Sequence, residues 1–83
     1  MNFRKKRKRI ELYLHNDDYN SFEYVTLALS RNLPKCNVIR AEQLAILAHN
    51  NGMVKICSGF SPEIYAVQAN LVRIGLKVES KKA

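Results

Sequence analysis

The chain has 83 residues, which suffices for one domain with a modest hydrophobic core and leaves no room for a second domain. Its hydrophobic fraction of 47% is typical of folded proteins and excludes a disordered or fibrous chain. Most of the formal net charge of +7 comes from six basic residues at positions 4–9, because residues 10–80 contain six basic and seven acidic side chains.

The basic run predicts a disordered N-terminal tail over residues 1–9, because six like charges repel one another and cannot pack into a core. This tail is either a solubilising end or an electrostatic contact arm, since basic runs attract polyanions without reading their sequence. We expect the folded domain at residues 10–80 and a flexible C-terminus at residues 81–83.

Residues 10–15 alternate between apolar and polar side chains, which predicts a strand with Ile10, Leu12 and Leu14 on one face. The next five residues, Asn-Asp-Asp-Tyr-Asn at positions 16–20, favour a turn because short polar side chains bond to nearby backbone. The strand should therefore end before this turn.

A first helix is expected after the turn. Asn20 is its expected N-cap, with Glu23 reaching back to it in a variant of the capping box. Pro34 disfavours helical geometry at the residue before it, so the helix should end near Asn32.

A second helix is expected between the cap Asn37 and Gly52, since glycine readily adopts the left-handed conformation that ends many helices. Its apolar residues recur at helical spacing and predict a buried face. That face consists of Ala41, Leu44, Ala45 and Ala48, and the apolar surface is widened by Ile39, Ile46 and Leu47.

Two strands and a third helix complete the chain. Residues 53–58 are apolar and partly β-branched, which predicts a strand. Ser61 is the expected cap of the third helix, with Pro62 in its first turn and Gly75 at its end. Residues 76–79 alternate again and predict a short third strand.

The predicted order is β-α-α-β-α-β with short connections. An amphipathic helix and a half-apolar sheet each need a partner layer to bury their apolar faces. The sequence therefore predicts an α+β fold in which three helices cover one face of a three-stranded antiparallel sheet.

No motif for catalysis, metal binding or cofactor binding is found, so we expect neither an enzyme nor a bound cofactor. Cys36 and Cys57 lack the CxxC spacing of zinc and redox sites and are interpreted as reduced thiols. No apolar run reaches the roughly 18 residues of a membrane span, which makes a cytoplasmic location the default expectation.

Residues 14–25 read LHNDDYNSFEYV, in which a strand runs into an Asn-Asp-Asp-Tyr loop and then a helix with Glu and an aromatic residue. This order resembles the signature of the ClpS family. Two further segments resemble the family at matching points: AEQLAILAH at residues 41–49 and ICSGFSPE at residues 56–63. Together the matches cover most of residues 10–80 in the right order.

The resemblance implies an adaptor for N-degrons, which are degradation signals in which the first residue of a protein, such as Leu, Phe, Tyr or Trp, is recognised. Carried over by motif position, Asn16, Asp17 and His49 hold the free α-ammonium. The implied walls of the side-chain pocket are Asn20, Phe22, Val25, Ala45, Ala48 and Leu76.

The resemblance also implies delivery to a Clp ATPase-protease, through the N-terminal domain of an ATPase of the ClpA or ClpC type. Glu63 matches the acidic docking position of the family, and Gln68 stands where a lysine is expected. Phe22 and Ala45 stand where the best-known members carry methionines, so the preferred first residue stays open.

Two alternatives stay open at the level of sequence. One is a nucleic-acid or ribosome-associated module that acts through residues 4–9, although the near-neutral domain makes nucleic acid the weaker hypothesis. The other is a ClpS-like protein that docks on the ATPase without carrying cargo.

Overall fold

The computed structural model describes residues 8–83, so residues 1–7 of the predicted tail lie outside the described part. The elements are β1 (Arg9–His15), α1 (Phe22–Asn32), α2 (Val38–Asn51), β2 (Met53–Phe60), α3 (Ser61–Arg73) and β3 (Val78–Lys82). All strand pairs are antiparallel. The predicted α+β class and element order are confirmed.

β1 is the central strand of the sheet, whose strand order is β2-β1-β3. Its pairing with β2 shifts register between Leu12 and Tyr13, which leaves Ile56 as the extra residue of a β-bulge. Ile56 is buried and joins the core.

The core lies between the sheet and the three helices. β1 supplies Ile10, Leu12 and Leu14, which are at most 2% exposed. Because side chains alternate along a strand, the polar residues of β1 face away from the helices. The helices bury one apolar stripe each, made of Val25, Ala28, Leu29, Ala41, Leu44, Ala45, Ala48, Ile64 and Leu71.

The start of α1 differs from the prediction. Ser21, rather than Asn20, is the N-cap, and its hydroxyl accepts a hydrogen bond from the backbone N–H of Tyr24 at 3.0 Å. The amide of Asn20 donates instead to Asp17 and to the backbone oxygen of Gly75. Asn20 therefore makes these contacts instead of capping α1.

The predicted bounds around α3 were also wrong in detail. β2 continues to Phe60, and the N–H of Ser61 still donates to the carbonyl of Lys8. Because Phe60 occupies the N-cap position of α3, Ser61 lies inside this helix rather than capping it. Leu76 lies outside β3, since its N–H donates to Leu71 in the turn that closes α3, and the strand instead runs from Val78 to Lys82.

Residues 8–83 contain no helix with the length and apolar character that a membrane span needs. In the same residues, no group of three or more His, Cys, Asp or Glu side chains is placed to hold a metal ion. Cys36 and Cys57 are free thiols, and burial raises the pKa of both. A raised pKa lowers the thiolate fraction and makes these cysteines poor nucleophiles.

Candidate functional site

A cavity of about 240 Å³ opens where β1 ends, bounded by α1, α2 and the turn after α3. One water needs only about 10–15 Å³ of such volume, so the cavity has room for a large side chain. Its lining consists of Leu14, His15, Asn16, Asp17, Asn20, Phe22, Val25, Ala45, Ala48, His49 and Leu76. The structure thus brings together every residue for which a substrate-binding role was predicted.

The end of α2 is fixed beside the loop that follows β1. The N–H of Asn16 donates to the carbonyl of Gly52 at 2.8 Å, and the N–H of Gly52 donates to Ala48 at 3.0 Å. Gly52 has a φ of 88°, a conformation that side-chain-bearing residues rarely adopt. This connection holds His49, in the last turn of α2, on the same cavity as Asn16.

Asp17 is held as a charged acceptor by its own loop. Its Oδ1 accepts from the N–H of Tyr19 at 2.8 Å, and its Oδ2 accepts from the side-chain amide of Asn20. The hydrogen bond from Tyr19 is the largest cause that lowers the pKa of Asp17, and the positive charge of Lys77 adds to it. The carboxylate is therefore ionised at neutral pH and keeps free lone pairs.

Asn20 and Tyr24 fix the turn after α3 against the start of α1. Asn20 Nδ2 donates to the carbonyl of Gly75 at 2.9 Å, and the Tyr24 hydroxyl donates to the carbonyl of Ile74. This turn carries Leu76, which is buried and lines the cavity. Since both N–H groups of Asn20 donate to protein oxygens, its Oδ1 is left to act as an acceptor.

His15 also lines the cavity, although sequence reasoning gave it no binding role. Its Nε2 is 2.7 Å from Glu79 Oε1 on β3, so its ring is held across the sheet. His49 makes no side-chain hydrogen bond to the residues between 8 and 83. The period-two pattern predicts that His15 lies on a strand but does not indicate that this strand ends at a cavity.

The lining divides into polar and apolar parts by element. The loop after β1 and the last turn of α2 supply oxygen and nitrogen acceptors, among them Asn16, Asp17 and His49. α1, the middle of α2 and the turn after α3 supply buried apolar groups: Val25, Ala45, Ala48 and Leu76. Such a site suits a ligand that joins a small cation to a hydrophobic group.

Phe22 is the one large aromatic side chain in the lining and is 44% exposed. Ala45, by contrast, is a small buried residue of α2. A bulky exposed group and a small buried wall therefore belong to the same cavity.

The residues predicted to dock a partner lie elsewhere. Glu63 is exposed in the first turn of α3, and Gln68 is half-buried on the same helix. Neither lines the cavity. Their docking role stays a prediction, but the two residues lie outside the cavity lining.

The family model for the ATP-dependent Clp protease adaptor protein ClpS matches residues 5–79. The ClpS adapter of Prochlorococcus marinus is 33% identical over 76 residues, covering 89% of this chain and 72% of the relative. A ClpS adapter from a Synechococcus species is 36% identical over 67 residues, covering 78% and 74%.

Among solved structures, that of Agrobacterium tumefaciens ClpS2 bound to L-phenylalaninamide superposes with a TM-score of 0.81. The match covers 92% of this chain and 98% of the other, at 18% sequence identity. At that identity the superposition shows a shared fold.

Proposed function

This chain belongs to the ClpS family of Clp protease adaptors, and we propose that it binds the free amino terminus of N-degron proteins and delivers them to a Clp ATPase. The proposed first residue is large and hydrophobic, of the Leu, Phe, Tyr and Trp class. The observation that carries the proposal is the single cavity that joins an ionised carboxylate and neutral acceptors to an apolar interior.

The polar rim suits an α-ammonium group. An α-amino group has a pKa near 8, so at neutral pH it is charged and offers three N–H donors. Asn16, Asp17 and His49 supply an amide oxygen, a carboxylate and a ring nitrogen as acceptors. A hydrogen bond to a charged group contributes about 1.5–3 kcal/mol, so two or three of them define the ligand.

The apolar part of the cavity suits the first side chain. Burying a Leu- or Phe-sized side chain contributes about 1.5–3 kcal/mol. The small Ala45 leaves room that favours an aromatic ring. L-Phenylalaninamide, the ligand of the A. tumefaciens relative, combines a free α-amino group with an aromatic side chain, which supports the same ligand class here.

Fluorescence anisotropy with peptides that begin with Phe, Leu, Trp or Met tests the proposal. We expect the first three to bind, and N-terminal acetylation to weaken binding by about 100-fold, because it removes the charge and two donors. An Ala-first peptide is the control for the apolar part. Equal affinity for free and acetylated peptides would rule out amino-terminus recognition.

Delivery is proposed through the N-terminal domain of a ClpA- or ClpC-type ATPase, with Glu63 and Gln68 of α3 on the docking surface. The lined and open cavity favours an adaptor that carries cargo over one that only docks. A complex containing labelled peptide, adaptor and ATPase domain together, detected by size-exclusion chromatography, is the expected result.

A further inference from the structure

Asn20 carries an unused hydrogen-bond acceptor in the lining of the cavity. Its side-chain amide donates to Asp17 Oδ2 and to the carbonyl of Gly75, which uses both of its N–H groups. These two bonds also fix which end of the amide is oxygen, because the reversed side chain would direct its oxygen at two other oxygens. Within residues 8–83, Asn20 Oδ1 accepts no hydrogen bond.

The free oxygen of Asn20 is also accessible. Asn20 is half-buried and lines the cavity. Among the residues between 8 and 83 that are not exposed, Thr26 Oγ1 is the one side-chain atom that is both enclosed and unpaired, so Asn20 Oδ1 is not shut off from the cavity in that way. A bound ligand can therefore supply the donor that the protein does not.

The α-ammonium group of the ligand does not need this acceptor. An ammonium group has three N–H donors, and Asn16, Asp17 and His49 supply one acceptor each. The bond to Gly75 places the amide of Asn20 beside the turn that carries Leu76, a buried residue of the apolar wall. Asn20 Oδ1 is thus a surplus acceptor next to the part of the cavity that suits the first side chain.

We propose that Asn20 makes Tyr a better first residue than Phe, by accepting a hydrogen bond from the Tyr hydroxyl; this inference rests on the proposed function. The two rings fill the same apolar space, and only Tyr has a donor at its far end. A bound Phe ring displaces water from Oδ1 without replacing the hydrogen bond of that water. A bound Tyr replaces it, so the two ligands differ by one hydrogen bond.

Fluorescence anisotropy with three peptides that differ only in the first residue, which is Tyr, Phe or 4-fluorophenylalanine, tests the proposal. We expect the Tyr peptide to bind about five-fold more tightly than the Phe peptide, as for one neutral hydrogen bond. 4-Fluorophenylalanine extends the ring at the same position without a donor and should bind like Phe. Asn20→Ala removes the acceptor and should abolish the advantage of Tyr over Phe.

Tyr24→Phe is the matched control for Asn20→Ala. It also removes a side-chain hydrogen bond to the turn after α3, the bond to the carbonyl of Ile74, but it leaves Asn20 in place. A less firmly held turn weakens the binding of both peptides, so the ratio of their affinities should be the same in Tyr24→Phe as in wild type.

Equal affinity of the wild-type chain for the Tyr and Phe peptides overturns the role of Asn20. So does an advantage that 4-fluorophenylalanine shares, that survives Asn20→Ala, or that Tyr24→Phe loses to the same extent. All of these outcomes leave sensitivity to N-terminal acetylation in place, whereas failure of the proposed function shows as indifference to acetylation in all three peptides.

Discussion

Asp17 is the one acidic residue in the cavity lining of the described chain, and it provides the sharpest residue-level test. Asp17→Asn keeps the shape of the side chain and removes the charge that would face the ammonium. We expect peptide affinity to fall about 10- to 100-fold, as for the loss of one charge-assisted hydrogen bond, measured by anisotropy.

Asp18→Asn is the matched control, because Asp18 is adjacent and exposed and does not line the cavity. An equal loss of affinity in both variants would point to general electrostatic attraction. Equal binding of wild type and Asp17→Asn would contradict the assigned role of Asp17.

The lowered pKa of Asp17 also predicts how the stability of the fold depends on pH. Its pKa lies below the ordinary value of 3.8, chiefly because the N–H of Tyr19 donates to the carboxylate. A depressed folded-state pKa gives a contribution that is present at neutral pH and is lost as pH falls through that pKa. Thermal unfolding between pH 7 and 2 should therefore show a smaller acid-dependent loss in Asp17→Asn than in wild type, and parallel curves would refute this account.

At the residue scale, local motifs predicted the acceptor residues but not the long-range hydrogen bonds around the site. Asn16, Asp17 and His49 were predicted from the family resemblance; the structure places all three on the cavity lining, and their binding role stays a prediction. The bonds from Asn20 to Gly75 and from Tyr24 to Ile74 join residues 55 and 50 positions apart. A single sequence contains no local signal for such a bond, so Asn20 was expected to cap a helix.

At the scale of elements, side-chain hydrogen bonds from Asn20 and Tyr24 hold the turn after α3. The Tyr24 hydroxyl donates to the carbonyl of Ile74, two residues before the cavity residue Leu76. Tyr24→Phe removes this bond and should lower the free energy of unfolding by about 1 kcal/mol. We also expect weaker peptide binding, because Leu76 is then less firmly placed.

Tyr19→Phe is the control for that change, since Tyr19 is 91% exposed and belongs to the neighbouring loop. Urea unfolding gives the stability and anisotropy gives the affinity. Identical behaviour of the two variants would show that the Tyr24 bond does not position the turn.

Local sequence patterns predicted the type and order of the elements in the described residues: alternation for β1 and β3, helical spacing for α2, an apolar run for β2, and caps with helix-ending residues for α1 and α3. The bounds were less accurate where backbone hydrogen bonds decide them. β2 extends to Phe60 through pairing with β1, and β3 begins at Val78 because the preceding backbone closes α3. Alternation of side chains does not report these partners.

At the scale of the molecule, the cavity is built from residues between 14 and 76. Removal of residues 1–7, which include four basic side chains, should therefore leave peptide affinity unchanged. The nucleic-acid alternative instead predicts salt-dependent RNA binding that disappears with this truncation. RNA binding is measured at two salt concentrations for the 83-residue chain and for the variant without residues 1–7. The result distinguishes the nucleic-acid alternative from the proposed function.

Capture and delivery are proposed on different elements, which makes them separable by mutation. Glu63 is exposed on α3 and lies outside the cavity lining. Glu63→Arg should weaken binding to the N-terminal domain of a Clp ATPase by at least about 10-fold, as expected when a charged interface contact is reversed, with peptide affinity unchanged. Glu11→Arg makes the same charge change on the opposite sheet face and should leave both intact. Loss of peptide binding in Glu63→Arg would show that the two surfaces are coupled, and retention of ATPase binding would place the docking surface elsewhere.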